Sequence, residues 1–134
     1  ILTGNELDNT LYGGSGNNGL AGAAGNDYLS GGAGNDTLVG GTGDDRLFGG
    51  LGEDIFFIES SGGRDVITDF DFGGNDKIDL RSDLNGSGIT DRATALAHTR
   101  DIDGNAVVNL GDGNILILTG VLTADLTAAD FLVF

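Results

Sequence analysis

The chain has 134 residues, a net charge of −15 and 26 glycines, with no Pro, Cys, Met or Trp. That balance excludes nucleic acid and anionic lipid, which are held by clustered Lys and Arg, and points instead to a cation as the partner. Without Cys there is no disulfide or thiolate metal site, and no apolar run is long enough for a membrane-inserting helix.

The first residues carry neither an initiator Met nor a secretory leader, as expected of a piece of a longer protein. From Gly4 the sequence reads in nines: GNELDNTLY (4–12), GGSGNNGLA (13–21), GAAGNDYLS (22–30), GGAGNDTLV (31–39), GGTGDDRLF (40–48) and GGLGEDIFF (49–57). Position one is Gly throughout. Position six is Asn9, Asn18, Asp27, Asp36, Asp45 and Asp54, and position eight is Leu11, Leu20, Leu29, Leu38, Leu47 and Phe56. Three columns in phase over six units mark a repeat architecture. A solvated acidic surface would account for the composition but not for carboxylates at fixed positions. Gly14-Ser15-Gly16-Asn17-Asn18-Gly19 also fits the G-x-G-x-x-G spacing of dinucleotide-binding turns. That motif needs a buried strand before it and a helix after it, and here another glycine-rich unit follows.

The nonapeptide resembles the RTX, or haemolysin-type, calcium-binding repeat. The resemblance implies an all-β fold, a right-handed parallel β-roll (β-helix) in which each unit is a six-residue turn and a three-residue strand, two units to a coil. In a strand such as Thr37-Leu38-Val39 only the middle side chain then points inward, so the leucine column forms a narrow core. Turns eighteen residues apart would stack, pairing Asn9 with Asp27, Asn18 with Asp36, Asp27 with Asp45 and Asp36 with Asp54. About four inter-turn calcium sites are expected. Their ligands would be these side chains and the backbone carbonyls of Gly22, Ala24, Gly31, Ala33, Gly40, Thr42, Gly49 and Leu51.

Calcium suits such a set, since it takes six to eight oxygens from carboxylates and carbonyls alike. Zinc and copper favour nitrogen or sulfur, and the chain offers only His98. Magnesium demands a tighter octahedron and keeps its water. Sites with Asp on both sides should be tighter than those using Asn9 or Asn18, and Leu7 replaces the fourth-position Gly in unit one. Asp44 and Glu53, at position five, are read as auxiliary charge.

After residue 57 the period breaks, which divides the chain into a roll at 1–58 and a β-rich cap at 59–134. Residues 64–80, RDVITDFDFGGNDKIDL, resemble the segment that follows such arrays, with strands expected at Asp65–Asp69 and Lys77–Leu80 around a Gly73-Gly74 turn. Asp69, Asp71, Asp76 and Asp79 are weaker candidates for one further calcium site. Asp69-x-Asp71 resembles the opening of an EF-hand loop, but no Glu stands at the twelfth position, and turn chemistry explains these aspartates as well. Residues 90–98 predict a short helix with Thr90 as N-cap and His98 at its end. Residues 106–118 predict a hairpin turning at Asp112-Gly113.

The final residues Asp130, Phe131, Leu132, Val133 and Phe134 resemble the C-terminal signal of type I secretion substrates, read by an ABC exporter complex. An ordinary last strand is the alternative. As a signal, the tail should be removable without loss of calcium binding.

Catalysis is not expected in this region: there is no Cys, one His, no G-x-S-x-G and no H-E-x-x-H. The resemblance implies a calcium-dependent folding and secretion module of an extracellular protein of a Gram-negative bacterium, with any protease, lipase or polysaccharide-modifying domain upstream. A polysaccharide-binding module of a secreted carbohydrate-active enzyme is the main alternative, against which the six scattered Lys and Arg count. An S-layer or adhesin segment is the other.

Overall fold

A computed structural model describes residues 1–59, 63–80 and 87–133. Its strands are β1 (Leu2–Thr3), β2 (Thr10–Ser15), β3 (Gly19–Ala24), β4 (Tyr28–Ala33), β5 (Thr37–Thr42), β6 (Arg46–Leu51), β7 (Ile55–Ile58), β8 (Arg64–Ile67) and β9 (Lys77–Leu80). There follow helix α1 (Arg92–Ala97) and strands β10 (Thr99–Ile102), β11 (Asn105–Gly111), β12 (Asn114–Leu118) and β13 (Phe131–Val133).

Odd and even strands of the repeat part company. One sheet runs β1-β3-β5-β7-β9-β13, and the other runs β10-β11-β12-β8-β6-β4-β2. Within the repeats every pairing is parallel and offset by eighteen residues, as in Leu20 with Leu38 and Leu29 with Leu47. The chain is an all-β parallel β-roll. Neither strand of a coil can bury its single leucine alone, so each depends on the coils above and below.

Position eight builds the core. Leu20, Leu29, Leu38, Leu47 and Phe56 are fully buried. Their column does not stop where the repeat stops: Leu47 is in register with Ile67 and then Leu118, and Phe56 with Ile78 and then Phe131. Both sheets therefore cross residue 58, and one hydrophobic cluster spans roll and cap.

Several expectations need correction. The repeat strands are six residues long, not three, because the turn residues also pair across coils. Ala23 and Ala24 face Gly41 and Thr42, with the ladder interrupted only at the first glycine. The strand expected at Asp65–Asp69 is Arg64–Ile67; Asp69 leaves the ladder to bind turn amides. The N-cap of α1 is Asp91, not Thr90: Asp91 accepts from the Thr94 amide and Thr94 answers with its hydroxyl, a capping box. His98 closes the helix, its ring nitrogen Nδ1 lying 2.7 Å from the Thr94 carbonyl. The hairpin forms as expected, with Asp112 and Gly113 both at positive φ in the turn.

The tail is not detachable. Phe131 is fully buried and β13 pairs in parallel with β9, while the Asp130 carboxylate is buried against the amide and hydroxyl of Thr127. Removing the tail would remove a core residue. Phe134 lies outside the described residues.

Candidate metal centre

Each aspartate at position six reaches back to the turn stacked before it. The amides of Asn9 and Asn18 donate to Asp27 Oδ1 and Asp36 Oδ1, both at 2.7 Å. Those of Asp27 and Asp36 donate to Asp45 Oδ1 and Asp54 Oδ1, both at 2.8 Å. One oxygen of each carboxylate is thus committed to the fold.

The other oxygen has no partner. Oδ2 of Asp27, Asp36, Asp45 and Asp54 is buried without a hydrogen bond, and none of these residues is more than 3% exposed. A buried, unpaired carboxylate oxygen is costly unless a cation answers it. Each Oδ2 rests where the Cβ of its own first glycine would stand, at Gly22, Gly31, Gly40 and Gly49. The carbonyl of the first glycine two units on closes over the same point: Gly40 over Gly22, and Gly49 over Gly31. An unpartnered carboxylate oxygen beside a backbone carbonyl, in a cradle that any side chain at position one would fill, fits a hard oxygen-seeking cation. No group of three or more His, Cys, Asp or Glu side chains converges among the described residues, so such a site draws chiefly on the backbone.

The carboxylates answer to burial. It pushes Asp45 and Asp54 up to about 6 and Asp65 up to about 7, and it raises Asp76. A backbone amide opposes each shift, and neighbouring aspartates reinforce it.

Two features were missed in the sequence. The position-six ladder runs on past the repeats, for Asp45 donates to Asp65 Oδ1 (3.1 Å) and Asp54 to Asp76 Oδ1 (2.9 Å). The signal was an aspartate two residues before a core residue: Asp65-Val66-Ile67 repeats Asp45-Arg46-Leu47 at a spacing of 20, and Asp76-Lys77-Ile78 repeats Asp54-Ile55-Phe56 at a spacing of 22. Position five forms a second ladder of opposite sense. The amides of Asn26, Asn35, Asp44 and Glu53 donate to the side chains of Asp8, Asn17, Asn26 and Asn35, and that of Arg64 to Asp44. Asp44 is therefore a rung of this ladder as well as added charge. Glu53 bonds the Asn75 amide group.

The four weaker candidates do not meet as one cluster. Asp69 holds the amides of Gly49 and Gly50, Asp71 donates to Asp76 Oδ2, and Asp79 sits in β9 in register with Phe57 and Leu132. Arg46, Arg64 and Arg100 lie on the outer face of the second sheet with Tyr28; Arg46 is beside Tyr28 in register, and Arg100 shares their row four strands further on.

The model of the RTX calcium-binding nonapeptide repeat matches residues 3–38, 21–56 and 30–67. Comparison with curated proteins gave no significant match. Among solved structures, the R3 subunit of the Azotobacter vinelandii mannuronan C5-epimerase AlgE6 is 34% identical, with a TM-score of 0.75 over 96% of this chain and 80% of that one. The R2 subunit of the same enzyme is 29% identical, with a TM-score of 0.66 over 98% and 91%. The extracellular lipase LipA of Serratia marcescens shares the fold at 24% identity and a TM-score of 0.74, covering 96% of this chain but 20% of the lipase. The chain belongs to the RTX calcium-binding nonapeptide-repeat family, and its repeats are calcium-binding repeats.

Proposed function

We propose that this chain is a calcium-dependent folding and secretion module of an extracellular protein, non-catalytic in itself. The observation that carries the reading is the set of four buried, unpartnered Oδ2 atoms. Bound calcium supplies positive charge and coordination sites for oxygen at those points. The chain's own residues do the rest: aspartates hold adjacent turns in register, first glycines leave room for the carboxylates, and leucines close the core. About four inter-turn sites follow, at Asp27, Asp36, Asp45 and Asp54. Residues 1–58 supply them and 59–134 cap the open end.

At the low calcium of a bacterial cytosol the chain remains open for an exporter, and outside the cell it folds. Sites of extracellular modules bind at about 10⁻⁴–10⁻³ M. The segment Asp130–Phe134 serves as the exporter's signal while unfolded. Circular dichroism over a calcium titration tests the reading: β structure should appear with calcium and vanish on chelation, and a β signal indifferent to chelation overturns it. Replacing the half-buried Leu132 and Val133 with Ser tests the signal without deleting Phe131; export should fall while calcium binding persists.

A second reading, an acidic-glycan-binding face, is favoured by the row of Tyr28, Arg46 and Arg100 on one sheet. The epimerase whose subunits this chain resembles is named for mannuronan, a polyuronate. Retention on mannuronan that is lost in Arg46→Ala/Arg100→Ala would establish it, and absence of retention in the parent would dismiss it.

A further inference from the structure

We infer that Asn18-Gly19 is a self-modifying site: in the calcium-free chain Asn18 deamidates, and the carboxylate so formed completes a metal cradle that the encoded amide blocks. The calcium dependence rests on the folding reading above, and the chemistry at Asn18 is additional to it.

Asn18 holds position six, and its side-chain nitrogen sits where the Asp units place a free carboxylate oxygen. At Gly22 and Gly31 the atom nearest a would-be Cβ is Oδ2 of Asp27 or Asp36, with the Gly40 or Gly49 carbonyl above. At Gly13 the Gly31 carbonyl closes over the same point, but the polar side-chain atom there is Asn18 Nδ2, at 3.0 Å. That nitrogen donates to the Gly16 carbonyl at 2.7 Å, which fixes the orientation of the amide, since a carbonyl only accepts. An N–H group has no lone pair for a cation. Oxygen in its place would make the cradle equivalent to those at Gly22 and Gly31.

The second observation is the residue that follows. Position seven is Thr10, Tyr28, Thr37, Arg46 and Ile55 in the other units, and Gly19 here. The fold gives no reason for this glycine. Its φ is not positive, and a Cβ there would meet only the Ile1 side chain, at an ordinary 3.6 Å. Glycine in a strand weakens it. What the missing Cβ supplies is an unhindered backbone nitrogen directly after an asparagine.

The reaction uses only these two residues and water. The Gly19 amide nitrogen attacks Asn18 Cγ, the Cγ–Nδ2 bond breaks, and ammonia leaves with the proton of the attacking amide. The product is a five-membered succinimide. Water then adds to one of its two carbonyls and the ring C–N bond at that carbon breaks. Opening at Cγ gives aspartate at position 18 on an unaltered backbone. Opening at the main-chain carbonyl gives isoaspartate, whose lengthened backbone cannot keep the ladder's register.

Folding closes this route. To reach Gly19 the side chain must leave the Gly16 carbonyl, while the Asn18 amide is held by Asp36 Oδ1 at 2.7 Å and its carbonyl by the Thr37 amide at 2.8 Å. Calcium that folds the roll therefore halts the reaction, and the carboxylate at position 18 records time spent open. The other Asn-Gly pair, Asn85-Gly86, lies outside the described residues.

Peptide mass spectrometry of the whole chain, incubated in mildly alkaline buffer with chelator, with calcium, and with calcium plus denaturant, tests this. Conversion at Asn18 should proceed in chelator, slow about tenfold or more in calcium, and return with denaturant. Gly19→Thr, which copies the paired Thr37, should suppress it in every buffer. Asn18→Asp, the product made directly, should bind calcium with one more equivalent or reach half-folding at a lower concentration. Equal rates in folded and unfolded chain, a Gly19→Thr variant that converts as fast as the parent, or an Asn18→Asp variant that binds calcium as the parent does each overturns the inference. Circular dichroism on the same samples keeps the two readings apart: calcium-induced β structure with any of those results leaves the folding module standing, and a β signal indifferent to chelation overturns both.

Discussion

Asp45 stands one coil beyond Asp27 and accepts its backbone amide at 2.8 Å through Oδ1, while its Oδ2 is buried with no partner. The two halves of one carboxylate therefore do different work, and a substitution can separate them. Asp45→Asn keeps an oxygen for the Asp27 amide and removes the charge. It should lower calcium stoichiometry by one and, at about 100 times the dissociation constant, reduce folded stability by about 2–3 kcal/mol. Denaturant unfolding with and without calcium measures this: the loss should be present only with calcium.

Acidity should act on the metal-free and calcium-loaded forms in opposite directions. Burial raises Asp45 and Asp54 to about 6, Asp65 to about 7, and Asp76 as well. The folded chain thus holds more protons than the unfolded one between about pH 4 and 7, and metal-free stability falls as pH rises through that window. Calcium needs the deprotonated carboxylates, so its affinity climbs over the same range and protons are released on binding. The calcium concentration at half-folding should stay nearly constant between about pH 5 and 7.5, where the unfolded aspartates are already ionised, and climb as pH falls below about 5; a midpoint unmoved below about pH 5 would count against these carboxylates as ligands.

The glycine columns can be tested in both directions. Gly31→Ala places a methyl where Asp36 Oδ2 lies and under the Gly49 carbonyl, so it should abolish the site there and destabilise the roll. Ala23 occupies the second position of its unit with φ 91°, a conformation that Gly50, at the same position, adopts without a Cβ. Ala23→Gly relieves that strain at some gain in unfolded-chain entropy, for a net stabilisation of about 0.5–1 kcal/mol. Thermal unfolding of the pair in calcium should move in opposite directions.

Phe131 ties the last strand to the core. Phe131→Ala should cost about 3–5 kcal/mol, and because Phe131 is in register with Ile78 and so with Phe56, the repeats themselves should loosen. Hydrogen exchange at Phe56 and Leu38 reports this; protection unchanged there would mean that the cap folds independently.

The repeats were legible because one physical requirement recurred at one interval. Leu29 and Leu47 declare the inward face, Gly22 and Gly40 the tight turn, and Asp27 and Asp45 the charge, all in a fixed phase. Asp65 escaped because legibility rested on the interval: two residues added between β7 and β8 moved it out of phase, although its place two residues before Ile67 is the repeat's own. The position-five ladder was invisible for another reason. Asp8, Asn26 and Asp44 are ordinary turn residues, and only stacking shows that each one's side chain receives the next coil's amide. The outer face carrying Arg46 and Arg100 is likewise a product of register, since those residues lie 54 positions apart in sequence and share a row through Val66, Ile117 and Val107.

The two side-chain ladders run in opposite senses, and this makes every junction between coils a mutual clasp. The later coil offers its position-six carboxylate backward, and the earlier coil offers its position-five oxygen forward. A slip of a single residue would break both at once, whereas insertion or removal of a whole coil would leave each clasp with an equivalent partner. The roll can therefore change length only in steps of eighteen residues. Offsets of 20 and 22 at β8 and β9 are where that counting ends, and the molecule becomes unique in sequence there because it no longer has to be interchangeable.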